Sequence, residues 1–310
     1  MSILSAARGI STTIFSNLFV SLPIPSADSD LSVQTFIVTG SNKGLGLESA
    51  RHLSRLGAGK LILAVRNEAK GLEAKRNILA TTARPESSID IWSLDMDSVD
   101  SIRAFAVRAA TLPRIDGVLA NAGLMTTKFS SSEGNEQSLH VNVIGTFLLY
   151  LLLAPKMRES GRHTGNVCRY AIPNSALHYT APITELRSRD DGLMRRLSNR
   201  DTADMAGRYS LTKLLVVYAV RELAERSAAS AKEAPIIINT PNPSFCKSDL
   251  GKEMADSLGF KISERLIARS TEEGSRTLVH GLLAGQETNG QYLTNCHVAR
   301  YSTVTVAPTI

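Results

Sequence analysis

The sequence lacks the markers of several protein classes. Its cysteines number only three, Cys168, Cys246 and Cys296, and they stand far apart, so they form neither a zinc-ligand spacing nor a disulfide framework. No apolar run reaches the roughly 18 residues of a membrane span. Arg8 and several Ser, Thr and Asn residues interrupt the apolar N-terminus, which argues against a signal peptide. We therefore expect a cytoplasmic protein without a membrane span.

The chain also has few signs of a nucleic-acid partner. Its net charge is +6, from 35 Lys and Arg against 29 Asp and Glu, but the basic residues are scattered and not interleaved with aromatic residues. This pattern is compatible with an anionic small ligand, such as a phosphorylated cofactor. The 310 residues, 43% of them hydrophobic, are enough for one large α/β domain with extensions.

Two parts are predicted: an N-terminal arm and linker at residues 1–32, and a single domain at residues 33–310. The moderately apolar stretch 1–20 predicts a short amphipathic arm packed on the domain, or alternatively one in peripheral contact with a membrane. The segment 22–30, rich in Pro, Ser and Asp, is typical of a linker.

Strand patterns alternate with helical patterns along the domain, which predicts an α/β fold with a doubly wound parallel sheet. Each helical pattern joins the end of one strand to the start of the next, as parallel pairing requires. The predicted strands are 33–38, 60–65, 89–94, 115–120, 169–172 and 234–240, with an edge strand at 290–293.

The first strand runs into a glycine-rich turn that opens a helix, residues 39–46 (TGSNKGLG). Because glycine has no Cβ atom, backbone N–H groups at such a helix N-terminus can approach a pyrophosphate closely. At the end of the second strand, where an Asp or Glu would bind the ribose of NAD, the chain has Arg66. Arg66 and Lys43 together favour the 2′-phosphate of NADP(H). An ordinary solvated arginine is the alternative.

Polar residues follow the later strands at the same edge of the sheet. Asp95 follows the third strand, where its carboxylate could accept from an adenine amino group, while Asp97 is the better candidate for the N-cap of the next helix. Asn121 follows the fourth strand and Ser175 the fifth. In the long apolar helix between them, Asn142 is either buried with a specific partner or functional.

Tyr209 and Lys213 are four residues apart in a predicted helix, so they lie on one face. A Lys ammonium near a Tyr hydroxyl favours the phenolate, so we expect the Tyr209 pKa to lie below its usual value of about 10. The pair is a candidate acid and base. An exposed pair on an amphipathic helix is the alternative.

In their order and spacing, these motifs resemble those of the short-chain dehydrogenase/reductase family, over residues 33–295. The matching features are the glycine turn, Asp95, Asn121-Ala122-Gly123, Asn142, Ser175 and Tyr209-x-x-x-Lys213. The sequence around Asn121 and in 271–292 looks like the retinol-dehydrogenase-like branch, particularly enzymes of fungal secondary metabolism. The resemblance implies a single Rossmann domain.

The resemblance also implies roles for these residues. Tyr209 would exchange a proton with the substrate oxygen, and Ser175 would hydrogen-bond that oxygen. Lys213 would hold the nicotinamide ribose and lower the Tyr209 pKa, and Asn142 would support a water relay from Lys213. The other implied cofactor contacts are Gly40, Gly44, Leu45, Gly46, Asp95, Asn121 and Ser248.

Some features depart from the family pattern. Pro173 removes a backbone donor at the end of the fifth strand, which could shift that end. Ser244 follows a proline where the family usually has glycine. The interval 176–208 is long and predicts an insertion over the site. Within it, His178 either lines the pocket or is an ordinary satisfied or surface histidine.

We expect an NADPH-dependent oxidoreductase that interconverts a ketone and a secondary alcohol, on a fairly large apolar, polyketide-like or terpenoid-like substrate. A non-redox cyclase or isomerase, or an NADP-binding regulator, on the same scaffold is the alternative. The presence of Ser175, Tyr209 and Lys213 together favours the enzyme. We expect no metal site, and the sequence leaves the oligomeric state open.

Overall fold

An eight-stranded sheet forms the centre of the computed structural model, which describes residues 3–186, 192–229, 234–248, 250, 253 and 258–300. Its strands are β1 (Thr35–Thr39), β2 (Lys60–Val65), β3 (Ile89–Ser93), β4 (Gly117–Leu119), β5 (Cys168–Ala171), β6 (Ile236–Asn242), β7 (Tyr292–Thr294) and β8 (His297–Ala299). In space they follow the order β3-β2-β1-β4-β5-β6-β7-β8.

The strand order reverses beside β1. From β1 the chain moves outward through β2 and β3, and it then returns to place β4 to β7 on the other side of β1. The pairs from β3 to β7 are parallel, and β8 runs antiparallel to β7. The carboxyl ends of β1 and β4 therefore flank a crevice at the switch point, the usual ligand site of such sheets. The predicted doubly wound parallel sheet is confirmed.

Helices cover both faces of the sheet, with α4 to α6 on one face and α2, α3 and α8 on the other. The helices are α1 (Ile3–Phe19), α2 (Gly44–Arg55), α3 (Glu68–Thr82), α4 (Val99–Ala110), α5 (Gln137–Thr164), α6 (Arg208–Ala229), α7 (Leu258–Ile267) and α8 (Thr271–Leu283). Shorter elements are a hairpin (Ser131–Ser132 with Asn135–Glu136), the helix Leu193–Leu197, and 3-10 turns at Glu86–Ser88, Ala176–Thr180, Ile183–Leu186 and Gln286–Thr288.

Two hydrophobic cores result from the alternation of side chains along the strands. In β1, Ile37 packs on the α5 face, whereas Phe36 and Val38 pack on the α2 face. Every residue of β1 is buried, as expected for a parallel strand covered on both sides. Such continuous burial is the reason why these strands read as apolar runs rather than alternating patterns.

The long helix α5 is apolar enough, by length and composition alone, to cross a membrane. Of its most apolar window, 67% is buried inside the protein, so it is a core helix. Glu136 caps its start by accepting from the backbone N–H groups of Ser138 and Leu139. A π-helical stretch, His140–Gly145, interrupts its first turns and contains Asn142.

Two local predictions are wrong. The predicted edge strand is β7, and it pairs on both sides, because the chain turns at Asn295 and Cys296 and adds β8 as the edge. Ser98 rather than Asp97 caps α4, since the Ser98 hydroxyl accepts from Ser101 N. The Asp97 carboxylate accepts from Gln137 Nε2 instead.

Residues of the predicted arm form α1 and an extended stretch that leads into β1. Leu22 and Leu31 in that stretch are buried. Helix α1 lies against the 3-10 turn Ala176–Thr180 and against α7. Near its end, Asn17 Nδ2 donates to the carbonyl oxygens of Phe245 (2.6 Å) and Ile267 (3.0 Å).

The described parts of the predicted insertion, 176–186 and 192–208, include a buried arginine at the end of the segment. Arg208 is fully buried, and its guanidinium lies 3.5 Å from carboxylate oxygens of both Glu136 and Glu185. It also donates to Leu197 O at 2.8 Å. Arg208 thus ties the described parts of this segment to the starts of α5 and α6. Residues 187–191 of the predicted insertion lie outside the described residues.

Candidate active site

A cavity of about 990 Å³ opens at the carboxyl edge of the sheet, over the switch point. It brings together most of the predicted site residues, although Gly46 and Asn142 do not line it. Those that line it are Gly40, Lys43, Gly44, Leu45, Arg66, Asp95, Asn121, Ser175, Tyr209, Lys213 and Ser248.

The turn requires glycine at different positions for different structural reasons. Gly40 and Gly44 have φ values of +61° and +59°, a conformation that L side chains adopt only with strain. A Cβ at Gly46 would lie 2.5 Å from Asn121 Nδ2 and 2.6 Å from Gly40 O, so glycine lets α2 start close to the turn. A Cβ at Gly44 would meet nothing within 4 Å, and this glycine faces the cavity. The turn therefore presents bare backbone at the N-terminus of α2.

Asn121 fixes the turn from the neighbouring strand. Its Nδ2 donates to the carbonyl oxygens of Thr39 (3.0 Å) and Gly40 (3.3 Å), and Ala122 N donates to Thr39 Oγ1 (2.8 Å). The ends of β1 and β4 are thus clamped together at the switch point. Asp95 lines the cavity beside them, and its Oδ1 accepts from Asp97 N.

Two cationic side chains stand at one end of the cavity. Arg66 directly follows β2 and is exposed, and Lys43 is the residue that precedes α2. Lys70, one turn into α3, lines the cavity beside them. This end of the cavity therefore attracts an anionic group.

Tyr209 and Lys213 lie on the first turns of α6 and are buried, each with 8% exposure. The alternative of an exposed pair on an amphipathic helix is thus excluded. Lys213 Nζ donates to the carbonyl oxygen of Pro173 at 2.8 Å and lies 5.4 Å from the centre of the Tyr209 ring. Ser175 lies four residues after the end of β5. Its hydroxyl shares a hydrogen bond with the Tyr209 side chain.

The pKa of Tyr209 differs from the value that the sequence predicted. Burial raises the pKa of Tyr209 above its usual value, and the hydrogen bond with Ser175 only partly offsets this. Burial also lowers the pKa of Lys213 to about 8. The expected lowering of the Tyr209 pKa is therefore wrong for this structure, because desolvation of the phenolate outweighs the hydrogen bond with Ser175. At neutral pH, Tyr209 is a protonated phenol and Lys213 is mainly an ammonium.

Two asparagines hold these groups in place. Asn142 is buried, accepts from Leu124 N, and donates to Leu124 O (2.8 Å) and to Thr212 Oγ1 (3.2 Å) beside Lys213. Asn174, which the sequence did not single out, accepts from Ser175 N (2.7 Å) and donates to Lys213 O (3.2 Å). The feature of the sequence that could have indicated a role for Asn174 is its position between the end of β5 and Ser175.

The departures from the family pattern resolve in different ways. Pro173 does not disturb the pairing of β5 with β6, because Ile172 N and Asn174 N donate on either side of it, to Asn239 O and Pro241 O. Ser244 has φ +66°, the left-handed conformation that glycine adopts without strain.

His178 is buried and satisfied rather than cavity-lining. Its Nδ1 contacts Ser175 O at 2.7 Å, and its ring packs on Tyr179 and Tyr292, 4.0 Å and 4.6 Å between ring centres. Burial lowers its pKa to about 4, so it is neutral at physiological pH.

Another wall of the cavity comes from α1 and α7, which the sequence did not connect with the site, and from the start of the predicted insertion 176–208. Helix α1 contributes Ile10 and Ile14, and α7 contributes Phe260 and Ile267. Leu177, two residues after Ser175, joins them. This side of the cavity is apolar, whereas the side near Arg66 is cationic.

Comparison with known proteins finds the same architecture. A family model described as short chain dehydrogenase matches residues 34–171. The chain is 40% identical to the short chain dehydrogenase/reductase dmxR8 of Cryptosporiopsis sp. over 92% of its length and 87% of that protein. It is 39% identical to the short chain dehydrogenase atnD of Emericella nidulans, over 92% and 91% of the two chains.

Solved structures share the fold at lower identity. A short-chain type dehydrogenase/reductase from Mycobacterium marinum matches with a TM-score of 0.65 and 18% identity, over 86% of this chain and 94% of that one. A short-chain dehydrogenase from Sphingobium yanoikuyae, in complex with NADPH, matches with a TM-score of 0.60 and 16% identity, over 84% and 87%.

Proposed function

Because the chain belongs to the short-chain dehydrogenase/reductase family, as its motifs predicted, we propose that it is an NADPH-dependent enzyme that reduces a ketone to a secondary alcohol. The observation that carries this proposal is the meeting of Tyr209, Lys213 and Ser175 in one cavity with the glycine-rich turn. The proposed substrate is fairly large and apolar.

The turn suits the pyrophosphate of a dinucleotide. Gly44 leaves open space where a side chain would stand, and the N–H groups at the start of α2 have no partners within the helix. The helix dipole adds a partial positive charge at this point. These features support a phosphate group beside Gly44.

The cationic end of the cavity supports NADPH rather than NADH. Arg66 stands where a carboxylate would repel a 2′-phosphate, and Lys43 and Lys70 add charge of the same sign. Arginine binds phosphate through two parallel N–H donors, which gives geometric as well as electrostatic preference.

Tyr209 is suited to deliver the proton of the reduction. When bound, NADPH supplies the hydride that reaches the carbonyl carbon. The buried phenol is protonated at neutral pH and gives its proton to the carbonyl oxygen as that oxygen gains negative charge. When the ketone binds, the Ser175 hydroxyl turns its single proton from the Tyr209 oxygen to the same carbonyl oxygen and orients it.

Lys213 stabilises the phenolate that remains after proton transfer. Its ammonium is held near the Tyr209 ring by the carbonyl of Pro173. Asn142 acts on this arrangement through Thr212, and both of its amide protons are engaged in that contact and in the one with Leu124. We therefore assign Asn142 a positioning role rather than a direct part in a proton relay.

A direct test mixes the purified protein with NADPH and a series of apolar ketones, and follows the loss of NADPH absorbance together with alcohol formation by mass spectrometry. We expect one alcohol formed for each NADPH oxidised, and a slower reaction with NADH. Conversion of the ketone with no change in the cofactor would instead show an isomerase or cyclase, and would overturn the proposal.

A further inference from the structure

One face of α1 borders the cavity. Gly9, Ile10, Thr13 and Ile14 line it, and this spacing of one, three and four residues places them on one side of a helix. Ile10 and Ile14 are 55% and 39% exposed, so they stand at the mouth rather than in the depth of the cavity. Thr13 turns its hydroxyl back to Gly9 O at 2.9 Å. The face that α1 offers to the cavity is therefore mainly apolar.

At Gly9, helix α1 lies against the segment that follows Ser175. A Cβ at Gly9 would lie 3.1 Å from the Tyr179 side chain and 3.2 Å from Ala176 O, so only glycine allows this approach without displacement. The 3-10 turn Ala176–Thr180 begins directly after Ser175, which is its N-cap. Helix α1 thus lies on the side of the cavity where the proposed ketone oxygen binds.

The end of α1 is fixed by a buried arginine. Arg269 is 3% exposed, and its Nη2 donates to the carbonyl oxygens of Ser16 (2.6 Å) and Val20 (2.7 Å). Its Nη1 donates to Asn295 Oδ1 (3.1 Å), which also accepts from Ser16 Oγ. The close contact at Gly9 and the hydrogen bonds from Arg269 near the end of the helix hold the cavity-lining part of α1 in a defined position.

Across the mouth, α7 offers a complementary apolar surface. Phe260 and Ile267 line the cavity there, and the Phe260 ring packs edge-on against Phe245 at 5.8 Å between centres. Asn17 joins α1 to this side through the carbonyl of Ile267. Both helices therefore contribute apolar side chains to the cavity.

We infer that α1 is the outer wall of the substrate compartment, and that Ile10 and Ile14 select for the size and polarity of the ketone. This inference rests on the proposed ketone reduction. A large apolar ketone reaches from Ser175 to the mouth of the cavity and contacts both isoleucines, whereas a small one does not reach them. The cofactor end, around Arg66, is independent of this wall.

The test compares Ile14→Asp with Leu18→Asp, since Leu18 is on the same helix, 49% exposed and outside the cavity lining. The probes are cyclohexanone, 1-tetralone and 9-fluorenone with NADPH. We expect Ile14→Asp to raise the KM for fluorenone about tenfold or more, because an apolar contact is lost. The KM for cyclohexanone and for NADPH should change little, and Leu18→Asp should resemble the wild type. Equal effects of the two variants, or a matching rise in the NADPH KM, would overturn the inference.

A second readout does not require turnover. A cysteine introduced as Ile14→Cys or Leu18→Cys is labelled with a maleimide, with and without 9-fluorenone. Burial raises the pKa of Cys168 and Cys246 to about 12 and also raises that of Cys296, so the introduced thiols react faster. We expect fluorenone to slow labelling at position 14 but not at position 18. Protection of position 14 without reduction of the ketone would refute the proposed function but support α1 as the wall of the compartment. Absence of protection at position 14 would refute the assignment of α1 as that wall.

Discussion

The proposed cofactor side of the cavity is built from strand ends that follow one another along the chain, from β1 to β4. The proposed substrate side is built from α1, the turn Ala176–Thr180 and α7, which are far apart in the chain. The first side is held by backbone geometry, as at Gly40 and Gly46. The second depends on a few buried side chains, chiefly Arg208 and Arg269, that bridge distant segments. Substitutions should therefore affect the two sides separately.

Tyr209 and Lys213 are the proposed catalytic pair, and loss of the Tyr209 hydroxyl should have the largest effect. In Tyr209→Phe the ring stays buried but the proton is missing, so we expect kcat to fall about 100- to 10,000-fold while NADPH affinity remains. Tyr218→Phe, half-buried on the same helix, should leave both unchanged. Steady-state kinetics and NADPH fluorescence titration measure these effects, and a fully active Tyr209→Phe would refute the assigned acid.

On the substrate side, Arg208→Leu should cost stability. The change leaves the buried Glu136 carboxylate without its cation, so we expect the free energy of unfolding to fall by about 3–5 kcal/mol. The control is Arg226→Leu, which removes an exposed pair with Glu222 on the same helix, and here we expect less than about 1 kcal/mol. Urea denaturation compares the two. Similar losses would show that Arg208 is not a structural bridge.

On the cofactor side, Arg66→Ala should alter cofactor choice without altering the substrate wall. Loss of a charged hydrogen bond to the 2′-phosphate should raise the NADPH KM about tenfold, and leave the KM for NADH and for the ketone unchanged. Arg76→Ala, an exposed site on α3 away from the cavity lining, controls for net charge. If Arg66→Ala weakens both cofactors equally, the 2′-phosphate assignment is wrong.

The smallest expected effect is at Ser244, where the backbone is in the left-handed conformation. Ser244→Gly removes that strain and should stabilise the protein by about 1 kcal/mol. Ser244→Ala keeps the strain and should bring no gain. Thermal unfolding distinguishes the two variants, and an equal gain in both would mean that the backbone is not strained at this point.

The cofactor side could be predicted from the sequence because its determinants are local. Strand β2 begins and ends as predicted, and the glycine turn and Arg66 follow their strands directly. The i, i+4 spacing of Tyr209 and Lys213 likewise needs only helical geometry. Local patterns of this kind persist when the surrounding tertiary structure is unknown.

The substrate side depends on information that local patterns do not contain. Nothing in the sequence of α1 shows that Gly9 meets Tyr179, because that contact depends on the whole sheet being formed. The predicted lowering of the Tyr209 pKa was wrong for the same reason, since the burial of Tyr209 comes from tertiary packing. Asp97 was the predicted cap of α4, but Ser98 caps it instead. The Asp97 carboxylate accepts from Gln137, so the choice between two neighbouring capping residues also depends on a residue that is distant in the sequence.

The most direct measurement follows the hydride itself. NADPH labelled with deuterium at C4 of the nicotinamide is incubated with the protein and an apolar ketone, and the alcohol is examined by mass spectrometry. The label is placed on one face of the nicotinamide or on the other, in separate incubations. We predict one deuterium at the carbinol carbon for each NADPH oxidised with one of the two labelled cofactors, and none with the other. Product without deuterium from both labelled cofactors, or conversion that leaves them unchanged, would contradict the assignment of this site as a ketone reductase.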